Sequence, residues 1–136
     1  MKTVILHTDT DPDYAQRASQ VLKNGGLVAI PTETVYGLAA NALDEKAVEK
    51  IYLAKGRPSD NPLIVHISSF AEWEPLVQTI PEKAKKIADA FWPGPLTIIL
   101  PKSDLVPNRT SGNLATVAVR MPAHPAARAI IAASGL

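Results

Sequence analysis

Short runs of β-branched and other apolar residues alternate with amphipathic stretches along this chain, the pattern of a mixed α/β domain. Val4-Ile5-Leu6 predicts a first strand. Asp11-Pro12 then reads as a helix cap with proline at the first helical position. Tyr14, Ala18, Val21 and Leu22 share one face of that helix, and Asn24-Gly25-Gly26 stops it. Residues 27–30 are too apolar for a strand wetted on both faces, so they predict a second, buried one. Asp44 caps the next helix, with Ala47, Val48, Ile51 and Tyr52 on its apolar face. Residues 63–67 predict a third strand, and Ser69 with Glu72 forms a capping box for a short helix interrupted near Pro75. Pro81 opens a further helix with Ala84, Ile87, Ala88 and Phe91 inward. Residues 96–100 and 116–119 predict two more strands, separated by a polar loop over 101–113. His124-Pro125 begins a last helix that turns Ala127, Ile130 and Ile131 inward.

A length of 136 residues fits one domain, with no internal repeat or linker, and buries roughly two thirds of the extended chain's surface on folding. With 14 basic and 13 acidic side chains the formal charge is +1, so whole-chain charge gives no footprint for nucleic acid or a membrane. The absence of cysteine removes disulfides, thiolate zinc sites and cysteine nucleophiles together. The apolar run after Met1-Lys2-Thr3 is too short for a signal-peptide core, and no run reaches the length of a membrane span. A cytoplasmic chain with no membrane partner is expected.

The unusual residues gather at the ends of the apolar runs, where an α/β sheet presents its ligands. Pro31-Thr32-Glu33-Thr34-Val35-Tyr36-Gly37-Leu38 offers two threonine hydroxyls, a carboxylate and a phenol around one turn. Such groups orient a small polar ligand without supplying a nucleophile; they equally suit a plain turn with Tyr36 in the core. Lys55-Gly56-Arg57-Pro58-Ser59-Asp60-Asn61-Pro62 sets two cations around a glycine at a helix end, followed by proline-stiffened backbone. Cations there also complement the negative end of the helix, so a structural cap and an anion clamp are both open readings. The segment is not a Walker loop, since Gly-x-x-x-x-Gly-Lys-Ser/Thr occurs nowhere in the chain. Phe91-Trp92-Pro93-Gly94-Pro95-Leu96-Thr97 makes a rigid helix-to-strand connection and reads as mainly architectural.

In Thr116-Val117-Ala118-Val119-Arg120-Met121-Pro122, alternation puts Thr116, Ala118 and Arg120 on one face and Val117 and Val119 on the other. An arginine in an apolar strand is costly unless paired, so Arg120 is expected to meet an anionic ligand or a buried carboxylate. His7, His66 and His124 lack the paired spacing of a zinc site, and no nucleophile elbow is present.

Together these segments resemble the Sua5/YrdC family of threonylcarbamoyl-AMP synthases. The residues that carry the resemblance are Pro31-Thr-Glu-Thr-Val-Tyr-Gly-Leu38, Lys55-Gly-Arg-Pro58, Asn61-Pro-Leu-Ile-Val-His66, Trp92-Pro-Gly-Pro-Leu-Thr97 and Val119-Arg-Met-Pro122, in the family's order. The resemblance implies an α/β fold with a twisted, open mixed sheet, flanking helices and a concave, positively lined cavity. It implies a nucleotidyltransferase that combines L-threonine, bicarbonate or CO2, and ATP accompanied by Mg²⁺, giving threonylcarbamoyl-AMP and pyrophosphate. The product would pass to a separate complex that modifies tRNA. Carried over position by position, Thr34, His66 and Arg120 would contact threonine, and Arg57, Asn61 and Thr116 would contact ATP. Lys55 and Arg57 would be the catalytic cations, Thr32 and Tyr36 wall residues, and no protein side chain is identifiable as a metal ligand.

The family pattern continues into a strand and a Ser-Ala-Asn segment, whereas this sequence stops at Ser134-Gly135-Leu136. The expectation is one domain over 1–136, incomplete at its C-terminal end and inactive alone. Two other classes stand beside this reading. One is an RNA-binding module for tRNA or rRNA, disfavoured by 5% aromatic residues and near neutrality. The other is the carbamoyl-transfer domain of a hydrogenase maturation factor, whose cysteine zinc motifs this chain lacks.

Overall fold

The computed structural model describes residues 3–32, 36–55 and 62–135. Strands β1 (Val28–Ile30) and β2 (Gly37–Ala39) form an antiparallel pair with Ala29 opposite Leu38. A second sheet has the order β3-β5-β4: β3 (Ile64–His66) runs parallel to β5 (Thr116–Arg120), and β4 (Thr97–Pro101) runs antiparallel to it on the other side. The helices of the described residues are α1 (Tyr14–Lys23), α2 (Glu45–Lys55), α3 (Glu82–Phe91), the short α4 (Asn108–Ser111) and α5 (Pro125–Ser134).

Local chemistry sets the element ends. Asp44 Oδ1 accepts from the amides of Lys46 and Ala47 at 3.0 and 3.4 Å, capping α2 as its sequence predicts. His124 Nδ1 accepts from the Ala126 amide at 3.1 Å, and Pro125 fills the first turn of α5. Gly25 takes φ 81° just after α1, a left-handed conformation that a side chain would disfavour.

Alternation divides the three-stranded sheet. Val65, Val117 and Val119, with Ile98 and Leu100 beside them, face the main core and meet Trp73, Leu76, Val77, Ala88, Trp92 and Met121. Within that core the rings of Trp73 and Trp92 meet edge-on, 4.7 Å between centroids. A second cluster joins Ala15, Ala18 and Leu22 of α1 to Ala127 and Ile130 of α5 and to Ile30 of β1. The expected apolar faces of α2 and α5 are therefore the buried ones.

Several expectations need correction. Residues 4–6 form no strand; Val4 and Ile5 are 59% and 75% exposed, and the segment pairs with neither strand of the β1-β2 sheet. Asp11 does not cap α1. Its Oδ2 accepts from the His7 amide at 2.7 Å instead, closing a turn, and the helix starts at Tyr14. Ser68, not Ser69, engages Glu72, through its amide at 3.0 Å and its hydroxyl at 2.7 Å, and the segment forms two 3₁₀ turns. On α3, Ala88 is buried but Ile87 and Phe91 are exposed, since Trp92 occupies the core space against Trp73. Tyr36 is exposed and not in the core, and Gly37 and Leu38, expected within the turn over residues 31–38, belong to strand β2.

Candidate functional site

The sheet face opposite the main core carries the candidates. Register aligns it in rows: His66, Arg120 and Thr97 in one, Ile64, Ala118 and Ile99 in the next, Thr116 with Pro101 in the last. Residues directly opposite on adjacent strands hold their Cβ atoms about 4.5–5.5 Å apart, so His66 and Arg120 are side-by-side neighbours. Thr116 lies about 13 Å further along β5 at the usual rise per residue. Three candidates from two distant parts of the chain thus share one face. Between the ends of that face Ala118 forms a low floor, flanked by Ile64 and Ile99, which are 49% and 63% exposed.

Arg120 is itself only 7% exposed. Its Nε donates to the carbonyl of Gly94 at 3.2 Å. Burial lowers its pKa from the ordinary arginine value, yet a guanidinium stays charged in any working pH range. Burial also lowers the pKa of His66, favouring the neutral imidazole. A fixed positive charge beside a neutral donor–acceptor ring suits a small carboxylate that also bears a hydroxyl or an amine.

Beside this face opens a hollow of about 590 Å³ between β2, α2, β3 and α5. Its polar wall includes Lys55, His66, Glu72, Thr110 and Ser134, and most of the remainder is aliphatic. Among the described residues the basic groups on that wall are Lys55 and His66, so the expected positive lining rests there on the last turn of α2. The short α4 holds α2 in place. Tyr52 Oη donates to the Arg109 carbonyl at 2.8 Å, Arg109 Nη2 meets Glu49 Oε2 at 3.2 Å, and Thr110 Oγ1 donates to the Ala42 carbonyl at 2.5 Å.

Thr34, Arg57 and Asn61 lie outside the described residues. Thr32 is half-buried. Tyr36 lines a separate hollow of about 390 Å³ with His7, Asp9 and His124. Among the described residues no group of three or more His, Cys, Asp or Glu could hold a metal ion, and no helix is long and apolar enough to cross a membrane. Sequence reasoning missed the contact between Gly94 and Arg120. The signal was present, a glycine fixed between two prolines, but no sequence pattern reveals where its carbonyl points.

A sheet face with a buried arginine, a histidine and a threonine, set beside a hollow, gives this α/β domain groups whose chemistry suits a small polar ligand. The chain belongs to the Sua5/YciO/YrdC family, whose model, described as telomere recombination, matches residues 20–136. It is 60% identical over 114 residues to the threonylcarbamoyl-AMP synthase of Pyrococcus abyssi, covering 84% of this chain and 34% of that protein. It is 57% identical over 127 residues to the threonylcarbamoyl-AMP synthase of Bacillus subtilis, covering 93% and 36%. The fold matches the crystal structure of P. abyssi Sua5 complexed with L-threonine with a TM-score of 0.87 and 58% identity, over 89% of this chain and 36% of that one. The chain spans about a third of the length of these relatives.

Proposed function

We propose that this chain is the substrate-gripping part of a threonylcarbamoyl-AMP synthase, acting on L-threonine, bicarbonate or CO2, and ATP. The observation that carries the reading is the row that sets Arg120 beside His66, with Thr116 on the same face. Arg120 would hold the threonine carboxylate and His66 its hydroxyl; that a relative of this fold was solved with L-threonine supports the choice of ligand. Thr34 joins them by its family position. Thr116, Arg57 and Asn61 would take ATP, and Lys55 and Arg57 would offset the charge gathered near the phosphates. Mg²⁺ would travel with the nucleotide, held mainly by phosphate oxygens, as is usual for this ion.

The chemistry suits these groups. The threonine amine adds to CO2 and loses a proton, giving a carbamate. A carbamate oxygen then forms a bond to the α-phosphorus as the bond to pyrophosphate breaks. No step needs a covalent enzyme intermediate; what is needed is alignment of anions that repel one another. The product would pass to a tRNA-modifying complex.

Calorimetric titration of the chain with L-threonine tests the reading. Binding is expected, and Arg120→Lys should weaken it about tenfold or more, since lysine cannot reproduce the planar fork. Equal affinity in parent and variant would reject the role of Arg120.

A further inference from the structure

The segment between α3 and β4 curls over the end of β5, and its contacts exceed what a plain connection requires. Gly94 bonds through both its backbone groups: its carbonyl accepts from Arg120 Nε at 3.2 Å, and its amide donates to the Met121 carbonyl at 2.8 Å. One residue therefore grips two successive residues at the end of β5. The segment is itself held. The Trp92 amide donates to the Ala88 carbonyl at 2.8 Å, tying it to the end of α3. The Trp92 indole Nε1 donates to the Leu96 carbonyl at 2.7 Å, bridging the Pro-Gly-Pro turn. The indole is anchored in the core against Trp73 and Phe70. Glycine is required at position 94 by a close approach: a Cβ there would lie 2.6 Å from the Phe91 carbonyl oxygen, with backbone that cannot swing aside as a side chain could.

We propose that the turn over residues 92–96 is a positioning clamp for Arg120, fixing the guanidinium plane through Gly94 before substrate arrives. An arginine side chain has several freely rotating bonds, and ordering one at the moment of binding costs affinity. Spending the Nε–H on a fixed carbonyl removes most of that freedom and leaves the orientation of the terminal nitrogens set by the backbone of β4's approach. The consequence for recognition is directional: a bidentate partner such as a carboxylate is favoured in one plane. The proposal rests on the reading that Arg120 contacts the threonine carboxylate, and it names Gly94 and Trp92 as residues acting through it.

The test uses the 136-residue chain with two loop variants. Trp92→Phe keeps a ring in the aromatic group and removes the bond to Leu96; Gly94→Ala forces the turn away from Phe91. The first readout needs no ligand: the Arg120 Nε–H signal in ¹H–¹⁵N spectra should be protected from solvent exchange in the parent and lose that protection in Gly94→Ala. The second is calorimetry with L-threonine and, separately, with ATP. Both variants should weaken threonine about tenfold, the size of one hydrogen bond to a charged group, with ATP affinity and far-ultraviolet circular dichroism unchanged. Should Gly94→Ala fail to fold, Trp92→Phe carries both readouts. An unprotected Nε–H in the parent overturns the clamp. So does a pattern in which Arg120→Lys weakens threonine binding but neither loop variant does, and there the assignment of Arg120 to threonine survives. No threonine binding by the parent overturns that assignment and the clamp with it. Equal losses for threonine and ATP would show a merely structural turn.

Discussion

Thr110→Val is a nearly isosteric change at a side chain that is 1% exposed, and it separates hydrogen bonding from packing at the mount of α2. Thr110 Oγ1 donates to the Ala42 carbonyl at 2.5 Å, while its own carbonyl accepts from the Leu63 amide at 3.0 Å. One residue thus ties the approach to α2 to the approach to β3, two walls of the main hollow. Valine fills the same volume but takes the donor away from Ala42. The expected loss is the desolvation cost of a buried acceptor, about 1–3 kcal/mol. Thr110→Ser keeps the donor and deletes one methyl, for which about 1 kcal/mol is expected. In urea, with a slope of roughly 1–3 kcal/mol per molar for a small domain, a 2 kcal/mol loss lowers the midpoint by about 1 M. Equilibrium unfolding followed by tryptophan fluorescence measures this, since Trp73 and Trp92 both sit in the core. The order parent, Ser, Val is expected, with unchanged slopes. If Val matched the parent while Ser fell well below it, the methyl group would be the stabilising feature and the hydrogen-bond argument would be wrong.

Two further outcomes follow from the sheet face. Because burial depresses the His66 pKa, the unfolded chain binds more protons than the folded one as pH falls below about 6.5. Stability should therefore be fully present above that value and decline below it, and His66→Gln should flatten the decline in thermal melts taken across the range. Ala118→Leu should leave the fold intact, because the side chain points away from the core, yet weaken combined threonine and ATP binding about tenfold or more by raising the floor between Ile64 and Ile99. Ala118→Ser should bind as the parent does; similar affinities for Leu and Ser would remove Ala118 from the site.

Much of this arrangement is legible in the sequence because it depends on short-range periodicity. The face of α2 that buries Ala47, Val48, Ile51 and Tyr52 is written at helical spacing, and the division of β5 into Thr116, Ala118 and Arg120 against Val117 and Val119 follows from a period of two. What sequence cannot supply is register between strands. Nothing in Leu63-Ile-Val-His66 says that His66 lies opposite Arg120 and not beside Val119; a slip of one residue would turn it to the core face. Residues 4–6 show the opposite failure, for their composition suits a strand but they pair with no described strand. Phe91 and Trp92 illustrate competition at neighbouring positions: both could fill the core, and the larger indole, bonded to Leu96, takes the space.

The same register gives the proposed chemistry its division of labour. On a three-stranded sheet, neighbours across the strands sit about 5 Å apart, whereas positions four apart along one strand are separated by about 13 Å. The short axis can hold a single amino acid between Arg120 and His66; the long axis from Arg120 to Thr116 is long enough for that amino acid and the first phosphate of a nucleotide laid end to end. A group transferred between the two would pass over Ala118, where the side chain is smallest. Polar residues at both ends with a methyl between them would let the two proposed anionic substrates approach over a surface that competes for neither. Lys55 lines the wall of the hollow, and in the proposed layout its charge would offset their repulsion. This layout requires the arginine to be rigid, since a guanidinium free to swing could follow either anion and would lose its selectivity for the amino acid end. Gly94 would meet that requirement through its backbone bond to Arg120, which neither proposed substrate need disturb.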